Sequence, residues 1–317
     1  MYDKVRLWKR WEEGEDFAAL PTYLDEAKEQ IDHNSGEVRY LGSLKGVRVA
    51  IYPNGLSLEG SLPKFMYGGN NIYPLDRHTT QEAFASLGDA LHMDIISAKV
   101  TGLEFGCNFV MEHPPREYLQ RLGDMPRRQR YSFCNDTIYY RRKGANQPDT
   151  MTFYDKIEDA KAKGMKPPKM LENAYILRSE IRFKGNLCKM LNQPQITALT
   201  LSEKPFYKDL LKRFVEAYMS IRKLPRLCPE YVSLIQSPKD AQEAFFAMIM
   251  AKQGTAIDDV NNFVQSLQDA HTFQQRKDYS RLREMLQRVM TKAKMRSDDP
   301  LISELDDCFL NLQVNAS

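Results

Sequence analysis

Two strand-like segments of this chain each carry a glutamate where the pattern is apolar, and this feature restricts the fold more than any other. The first segment is Val100–Val110, which contains Glu104, and the second is Ala174–Phe183, which contains Glu180. A carboxylate among apolar neighbours is unfavourable unless it is paired or binds a cation. If the two strands lie in one sheet, their glutamates are candidates for carboxylate ligands on two sides of one metal site.

Alternation along each strand places further polar side chains beside the glutamates. Residues two apart share a face of a strand, so Asn108 shares the face of Glu104. In the second segment, Arg178 and Arg182 flank Glu180 on one face. An isolated Arg-Glu-Arg ladder is usually a surface salt-bridge network, and that alternative stays open at this stage.

A tyrosine lies at the end of a strand-like run between the two glutamate segments. Tyr154 is followed by Lys156 two residues later and by Glu158 four residues later. If the strand continues, Lys156 lies on the side of Tyr154. If a helix has begun, Glu158 lies one turn from the tyrosine. Alone, such a tyrosine is typical of a half-buried strand position, but together with the acidic strands it becomes a candidate nucleophile.

Two basic clusters interleaved with aromatic residues precede this tyrosine, at 125–131 and 139–143. Arginine and lysine can neutralise phosphates, and tyrosine rings offer faces on which unpaired bases stack. The same composition also occurs on solvated basic surfaces. The candidate DNA-contacting residues of these clusters are Arg127, Arg128, Arg130, Arg141, Arg142 and Lys143.

The composition indicates a soluble globular protein. Of the 317 residues, 42% are hydrophobic and 27% are charged, and the length favours two domains. No window has the apolar length of a transmembrane helix, and the charged N-terminus lacks the apolar stretch of a signal peptide. We therefore expect a cytoplasmic protein without a membrane partner. The net charge of +3 is too small to identify an anionic partner by itself.

Motifs that would indicate other activities do not occur in the sequence. There is no Gly-x-x-x-x-Gly-Lys-Ser/Thr loop and no Gly-x-Gly-x-x-Gly, so no nucleotide cofactor is expected. The five cysteines are scattered without a CxxC pair, and the histidines form no His-x-x-x-His pair. Any metal site must therefore rest on carboxylates, which suit Mg²⁺ or Mn²⁺ better than Zn²⁺.

The order of the elements predicts an α+β fold in two domains. The N-terminal part is rich in strands, with a hairpin expected at Pro53-Asn54-Gly55, and it also contains helices expected over Asp16–Ile31 and Thr79–Leu91. The two prolines after Leu224 mark the expected boundary. We expect an antiparallel sheet core flanked by helices, followed by an all-helical C-terminal domain, and the sequence shows no internal repeats.

Four segments, in this order, resemble the replication initiators of filamentous phages and small bacterial plasmids, the gene II/X family. Residues 60–71 resemble the Ser-x-x-Lys…Gly-x-Asn loop of that family, and residues 101–104 resemble a strand that there usually reads Arg-Ile-Asp. Residues 152–158 resemble its nucleophile segment, and residues 177–182 resemble its Arg-x-Glu-x-Arg strand. The style of the sequence is closest to the versions on small cryptic plasmids of Bacteroides-type bacteria.

The resemblance implies an enzyme that starts rolling-circle replication. Such proteins nick one strand of an origin and become joined to the 5′ phosphate through a tyrosine, which here is Tyr154. Glu104 and Glu180 would hold Mg²⁺ or Mn²⁺, and either Lys156 or Glu158 would assist the tyrosine. Glu104 stands where the family usually has aspartate, which keeps the charge but changes the geometry.

The resemblance also implies where DNA binds and which partners act with the protein. DNA contacts beyond the basic clusters are implied for Lys64, Asn70, Arg178 and Arg182. Residues 1–224 would nick and rejoin DNA, and residues 225–317 would bind DNA or mediate oligomerisation. Double-stranded and single-stranded origin DNA, a host helicase and a host DNA polymerase are the expected partners in the bacterial cytoplasm. Whether the protein forms a homodimer is left open.

Two other functions are compatible with the same residues. A DNA-binding replication or copy-number regulator without catalysis would use the same basic and aromatic clusters and the helical C-terminal region. A relaxase of plasmid transfer is a weaker alternative, because relaxases usually carry a histidine cluster that this sequence lacks. The sequence also leaves open whether a second tyrosine, such as Tyr139 or Tyr140, acts at termination.

Overall fold

Ten strands form one antiparallel sheet, which confirms the predicted α+β class. The computed structural model describes residues 1–12, 15, 17–31, 36–69, 71–133, 136–143, 149–165, 168–171, 173–224, 232, 235–253, 255–293 and 299–314. The strands are β1 (Tyr2–Arg10), β2 (Asp25–Ile31), β3 (Val38–Leu44), β4 (Val47–Tyr52), β5 (Gly55–Ser61), β6 (Lys99–Met111), β7 (Gln129–Phe133), β8 (Thr137–Arg141), β9 (Asp149–Asp155) and β10 (Tyr175–Lys184).

Helices connect the strands and make up most of the chain after β10. The first seven are α1 (Leu62–Met66), α2 (Arg77–Leu91), α3 (Pro115–Leu119), α4 (Lys156–Ala162), α5 (Leu187–Leu191), α6 (Ala198–Ser202) and α7 (Lys204–Met219). They are followed by α8 (Pro238–Gln253), α9 (Ile257–Asp269), α10 (Arg276–Ala293) and α11 (Pro300–Val314). Within the described residues, none of these helices combines the length and apolarity needed to cross a bilayer.

The strand order is the same in the two halves of the sheet. Counted outward from the centre, one half runs β1-β5-β4-β3-β2 and the other runs β6-β10-β9-β8-β7. Each half then continues into a short capped helix: Ser61 accepts a hydrogen bond from the Lys64 backbone N–H, and Asn186 accepts one from that of Lys189. The correspondence between the two halves is one of strand order, and the sequence shows no internal repeat.

The two halves differ where the fourth strand turns into the fifth. Pro53 and Asn54 alone join β4 to β5, whereas residues 156–174, including α4, join β9 to β10. The predicted hairpin is present, but Gly55 lies in β5 and has no positive φ. A Cβ at Gly55 would clash with the carbonyl oxygen of Lys9, so the close approach of β1 explains this glycine.

One face of the sheet is apolar and forms the main core with α7 and α11. Phe105 on β6 contacts Phe214 on α7, with ring centroids 5.8 Å apart. Phe309 on α11 lies 6.3 Å from Phe153 on β9 and stacks on Tyr218 at 3.8 Å. All five rings are fully buried, and burial of each such side chain contributes about 2 kcal/mol. The opposite face of the sheet carries the polar residues.

Two sequence-based assignments require correction. The helix expected over Asp16–Ile31 is wrong, because Asp25–Ile31 forms the exposed edge strand β2 paired with β3, and Asp16 lies outside the described residues. Its Glu, Ala, Lys and Gln residues favour a helix intrinsically, but pairing with β3 overrides that preference. Helix α2 begins at Arg77, two residues before the expected start at Thr79, because Asp76 is its N-cap and Thr79 takes the third helical position of a capping box.

Contacts divide the chain into two compact units. The first consists of residues 1–223 together with residues 304–317, and the second consists of residues 224–303. The described part of the second unit is helical, in α8, α9 and α10. The expected boundary at residue 224 lies at this division, but the end of the chain groups with the sheet because Phe309 packs on it.

A glycine determines how closely β6 and β10 approach at the polar face. Gly106 lies directly opposite Glu180. A Cβ at Gly106 would lie 2.7 Å from the Glu180 Cβ and would also clash with the carbonyl oxygen of Ser179. Since backbone atoms cannot rotate away, this pairing requires glycine.

Replacing Gly106 by alanine should destabilise the protein by about 1–3 kcal/mol, the usual cost of overpacking. Urea unfolding followed by circular dichroism measures the change. Gly102→Ala on the same strand is the matched control, because its Cβ would lie 3.2 Å from the Arg6 Cβ. The control should lose clearly less stability, and equal losses would show that close pairing is not the reason for the glycine.

Candidate active site

Three buried carboxylates meet on the polar face of the sheet. Asp3 on β1, Glu104 on β6 and Glu180 on β10 each offer one oxygen, and these oxygens lie within 4.8 Å of one another. The two strand glutamates selected from the sequence are therefore brought together. We refer to the three residues as the acid triad.

Asp3 is not among the site residues that the sequence predicts. The pairing of β1 with β6 is irregular here, so that two β1 residues, Asp3 and Lys4, lie opposite the single residue Glu104. The carboxylate of Asp3 accepts hydrogen bonds from the Ser61 hydroxyl at 2.5 Å and from the Asn71 side-chain amide at 3.1 Å. An aspartate near the start of a strand carries no local signal of burial, and only the pairing of β1 with β6 places it in the site.

A fully buried arginine connects the acids. The guanidinium of Arg178 donates to Glu180 at 2.8 Å, to Asn108 at 3.1 Å and to Asp3. Burial opposes its charge, but Asp3 and Glu180 raise the pKa of the guanidinium above its ordinary value, so Arg178 stays protonated. Although burial acts against it, Arg178 also holds the pKa of Asp3 below its usual range. Arg178 is only 1% exposed and is not accessible to DNA, so the structure does not support its prediction as a DNA contact.

A second arginine pairs with the remaining acid. The Nε of Arg182 donates to Glu104 at 2.5 Å, and a terminal nitrogen lies 3.7 Å from Glu180. Burial and the charge of Glu180 nevertheless raise the pKa of Glu104 above its ordinary value of 4.5. Arg182 keeps part of its side chain exposed, so it is an accessible cation at the edge of the acid triad.

The candidate nucleophile lies against the same group. Tyr154 on β9 is directly opposite Arg178 on β10, and its phenol oxygen donates to Glu180 Oε2 at 3.3 Å. The residue is half-buried. Burial and the charge of Glu180 raise the pKa of the phenol well above its usual value of 10. The phenol is therefore protonated at neutral pH, and its proton is directed at a carboxylate.

Lys156, the first residue of α4, is turned towards the acid triad. It is buried, and its ammonium donates to the Asn71 side-chain oxygen at 2.8 Å. Because Asn71 also donates to Asp3, one side chain links the lysine to the acids. Burial, and after it the charge of Arg178, lowers the pKa of Lys156 to about 8.

Glu158 lies on the outer side of the same helix. Its carboxylate is exposed and pairs with Lys161 at 2.7 Å. Asp155 ends β9 and caps α4, so the helix begins between the tyrosine and the two candidate helpers. This start turns Lys156 inward and Glu158 outward, so of the two predicted helpers only Lys156 is directed towards the acid triad.

The basic residues preceding β9 have mixed environments. Arg128 and Arg142 both pair with Asp149 at the start of β9, and Arg130 donates to the carbonyl oxygen of Leu122 at 3.0 Å. These contacts fix the β7–β8 hairpin to neighbouring segments. Part of the predicted DNA-binding cluster therefore has a structural role as well.

Four other predicted DNA contacts lie apart from those pairs. Lys64 in α1 is half-buried, with its ammonium 3.8 Å from the sulfur of Met165. Arg127 and Lys143 are exposed, and Asn70 lies outside the described residues. These four positions remain predictions.

The two alternative tyrosines occupy opposite faces of β8. Tyr140 is fully buried and donates to the carbonyl oxygen of Gly123 at 2.8 Å. Tyr139 is half-buried, and the Arg141 guanidinium lies 4.5 Å from its ring centre. Tyr140 therefore belongs to the core, and Tyr139 alone of the two is on the face of the acid triad.

The acid triad has the donor chemistry of a site for a hard cation. Its ligand atoms are all carboxylate oxygens, the type that Mg²⁺ and Mn²⁺ prefer. The raised pKa of Glu104 reflects repulsion from Glu180 as well as burial, and a bound cation would relieve that repulsion. The three residues could therefore bind a metal ion.

No protein-family model matches this sequence, and no curated protein matches it either. A similar solved structure is that of the rolling circle replication initiator protein from Geobacillus stearothermophilus. The two chains share 9% sequence identity, and the match covers 76% of this chain and 90% of that one with a TM-score of 0.37. A likeness of this size assigns the chain to no family.

Replacing Glu104 by glutamine should raise thermal stability at pH 7. Because the folded-state pKa of Glu104 is raised, its charge is less favourable in the folded chain than in the unfolded chain. This penalty is absent below the unfolded pKa of about 4.5, grows as pH rises from there towards the folded pKa and is complete above it. The melting temperatures of variant and wild type should therefore converge at low pH. Addition of Mn²⁺ should stabilise the wild type more than the variant.

Glu59→Gln is the matched control, and its melting temperature at pH 7 should change in the opposite direction. Although burial acts against it, Lys4 and Arg6 lower the pKa of Glu59 to about 2, so its charge stabilises the fold above pH 4.5. The control should melt below wild type at pH 7, and that difference should shrink as pH falls from 4.5 towards 2. A Glu104→Gln protein that also melts below wild type at pH 7 would contradict the inferred repulsion.

Proposed function

We propose that this chain is a rolling-circle replication initiator that nicks and rejoins origin DNA through Tyr154. The observation that supports it is the 3.3 Å hydrogen bond from the Tyr154 phenol to Glu180, inside a group of three buried carboxylates. A nucleophile, an acceptor for its proton and a set of cation ligands thus share one site. The resemblance of four sequence segments to initiators of this kind supports origin DNA as the substrate.

The proposed reaction is a transesterification at a DNA phosphate. The Tyr154 oxygen forms a bond to phosphorus, the bond from phosphorus to the 3′ oxygen breaks, and the phenol proton passes to Glu180. The leaving 3′ oxygen takes up a proton and becomes the hydroxyl that primes a polymerase. One phosphodiester replaces another, so the reaction requires no nucleotide cofactor, and the 5′-phosphotyrosine can later be transferred to rejoin the strand.

The acid triad is the proposed site for Mg²⁺ or Mn²⁺. When bound, such an ion would neutralise charge that develops on the phosphate oxygens. The contribution of the chain itself is to hold Asp3 and Glu180 on one buried guanidinium, that of Arg178. This arrangement keeps the carboxylates in place before substrate arrives.

Lys156 is the proposed acid for the leaving oxygen. With a pKa of about 8 it is mainly protonated at pH 7, yet it releases its proton more readily than an ordinary lysine with a pKa of 10.5. It is linked to the acid triad through Asn71. Glu158 has no catalytic role in this proposal, because its carboxylate is exposed and paired with Lys161.

Tyr154→Phe should abolish the covalent protein–DNA adduct and leave DNA affinity unchanged. The reason is that phenylalanine keeps the ring but lacks the attacking oxygen. The assay is nicking of supercoiled plasmid that carries the DNA flanking the gene, with Mg²⁺ or Mn²⁺, followed by denaturing electrophoresis and mapping of the 5′ adduct.

Tyr139→Phe is the matched control for the nucleophile, because Tyr139 lies on the same face of the sheet. The control should form the adduct at the wild-type yield in the nicking step. An undiminished adduct in Tyr154→Phe would move the nucleophile elsewhere. A mobility shift without any nick in the wild type would instead favour a non-catalytic DNA-binding regulator.

Lys156→Arg should change the pH dependence of adduct formation. Arginine keeps the positive charge but cannot release a proton near pH 8. The ratio of wild-type to variant rates removes effects of other groups. It should be largest below pH 8 and fall about tenfold per unit above it, as wild-type Lys156 loses its proton. A ratio that does not change between about pH 6.5 and 9.5 would exclude Lys156 as the acid.

A further inference from the structure

Cross-strand pairs extend the polar face beyond the acid triad on the β8 side. Tyr131 on β7 lies opposite Tyr139 on β8, Tyr139 lies opposite Thr152 on β9, and Thr152 lies opposite Glu180 on β10. Directly opposed residues point to the same face of a sheet. The two tyrosines therefore lie in line with Glu180, and Tyr139 is two strand spacings, about 10 Å, away.

The β7–β8 end of this row is aromatic and exposed. Tyr131 is 41% exposed, and Phe133, two residues along the same face, is 69% exposed. Arg141 places a cation 4.5 Å from the ring centre of Tyr139. Aromatic rings with a neighbouring arginine are the usual surface on which unpaired bases stack.

Two residues from Glu104 along β6, the same face of the sheet forms a groove. Its floor is Gly102, which has no side chain, and it reaches Glu104 of the acid triad. Arg6 on β1 and Lys184 on β10 lie opposite Gly102 on its two neighbouring strands, and Lys4 also lines the groove. The groove is therefore continuous with the acid triad and is flanked by cations.

The wall of this groove has more positive than negative charge. The carboxylate of Glu59 lies within 2.6 Å of Lys4, 2.7 Å of Arg6 and 3.3 Å of Arg48. The charged residues that line the groove are four basic ones, Lys4, Arg6, Arg182 and Lys184, and two acidic ones, Glu59 and Glu104, so the lining has two more positive than negative charges. A DNA phosphate in the groove would complement this excess.

We propose that a single DNA strand lies on this face of the sheet, with the scissile phosphate at the acid triad: it runs across the β-strands on the side of Tyr139 and along β6 on the side of Gly102. Unpaired bases on one side of that phosphate stack on Tyr131 and Tyr139. A phosphate on the other side lies over Gly102, between Arg6 and Lys184. This path rests on the proposed function. It adds the course of the DNA over the sheet and two phosphate contacts outside the basic clusters, Arg6 and Lys184.

The two ends of the path can be tested separately, because one recognises bases and the other recognises phosphates. The test protein carries Tyr154→Phe so that DNA is bound without being cut. The probe is a fluorescein-labelled single-stranded oligonucleotide spanning the nick site mapped with wild type, and its Kd is measured by fluorescence anisotropy.

Tyr131→Ala and Tyr139→Leu should each weaken binding about tenfold, the effect of losing one base stack. The loss should disappear with an abasic nucleotide at the contacted position. The double variant Arg6→Ala, Lys184→Ala should also weaken binding about tenfold at low salt, with a smaller salt dependence. That loss should disappear when the contacted linkage is an uncharged methylphosphonate.

The expected result is that the sensitive abasic and methylphosphonate positions lie on opposite sides of the mapped nick. Tyr175→Ala is the aromatic control, because Tyr175 is 43% exposed but alternation on β10 places it on the other face. Arg48→Ala is the charge control, because Arg48 shares Glu59 with Arg6 but does not line the groove. Both controls should leave the Kd unchanged.

The outcomes separate the path from the proposed function. The path is wrong if the sensitive positions lie on one side of the nick. It is also wrong if the variants still lose affinity on abasic and methylphosphonate DNA. Neither result contradicts the proposed nicking activity. If wild type forms no nick and no adduct on any flanking DNA, the proposed function fails and the path fails with it.

Discussion

The buried guanidinium of Arg178 is the interaction on which the polar face of the sheet depends. Moving this charge out of water is tolerable only because Asp3 and Glu180 accept its hydrogen bonds. The same contacts hold two carboxylates close together that would otherwise repel each other. Loss of one partner from such a buried set commonly costs about 3–5 kcal/mol. The acids are therefore fixed by the fold, which a preorganised site requires.

The different connections in the two halves of the sheet explain why Tyr154 and Lys156 have no counterparts in the first half. In the first half, β4 turns directly into β5 through Pro53 and Asn54. In the second half, the connection from β9 to β10 contains α4. Tyr154 lies just before this helix and Lys156 begins it, so both are placed beside the acids by the longer connection. A tight hairpin at this position would have no room for the inward-facing lysine.

Part of the site could be predicted from the sequence because its signals are local. Glu104 and Glu180 stand out, since a carboxylate within an apolar strand pattern needs a partner. Asp3 gives no such signal, because only the irregular pairing of β1 with β6 turns it towards the acids. The same limit applies to Asp25–Ile31, whose composition favours a helix although its pairing with β3 makes it a strand. Local preference cannot report a partner strand that is distant in sequence.

The sequence by itself determined which segments alternate as strands, which faces their polar residues share, and that a tyrosine follows the first acidic strand. These properties depend on neighbours within a few residues. The tertiary structure alone decided the register of the sheet, the inward turn of Lys156 and the burial of Tyr140 in the core. It also joined Asp3 to Arg178 across 175 positions of the chain. Such contacts form only when the whole sheet is assembled, because the residues that make them are distant in sequence and local patterns do not specify their partners.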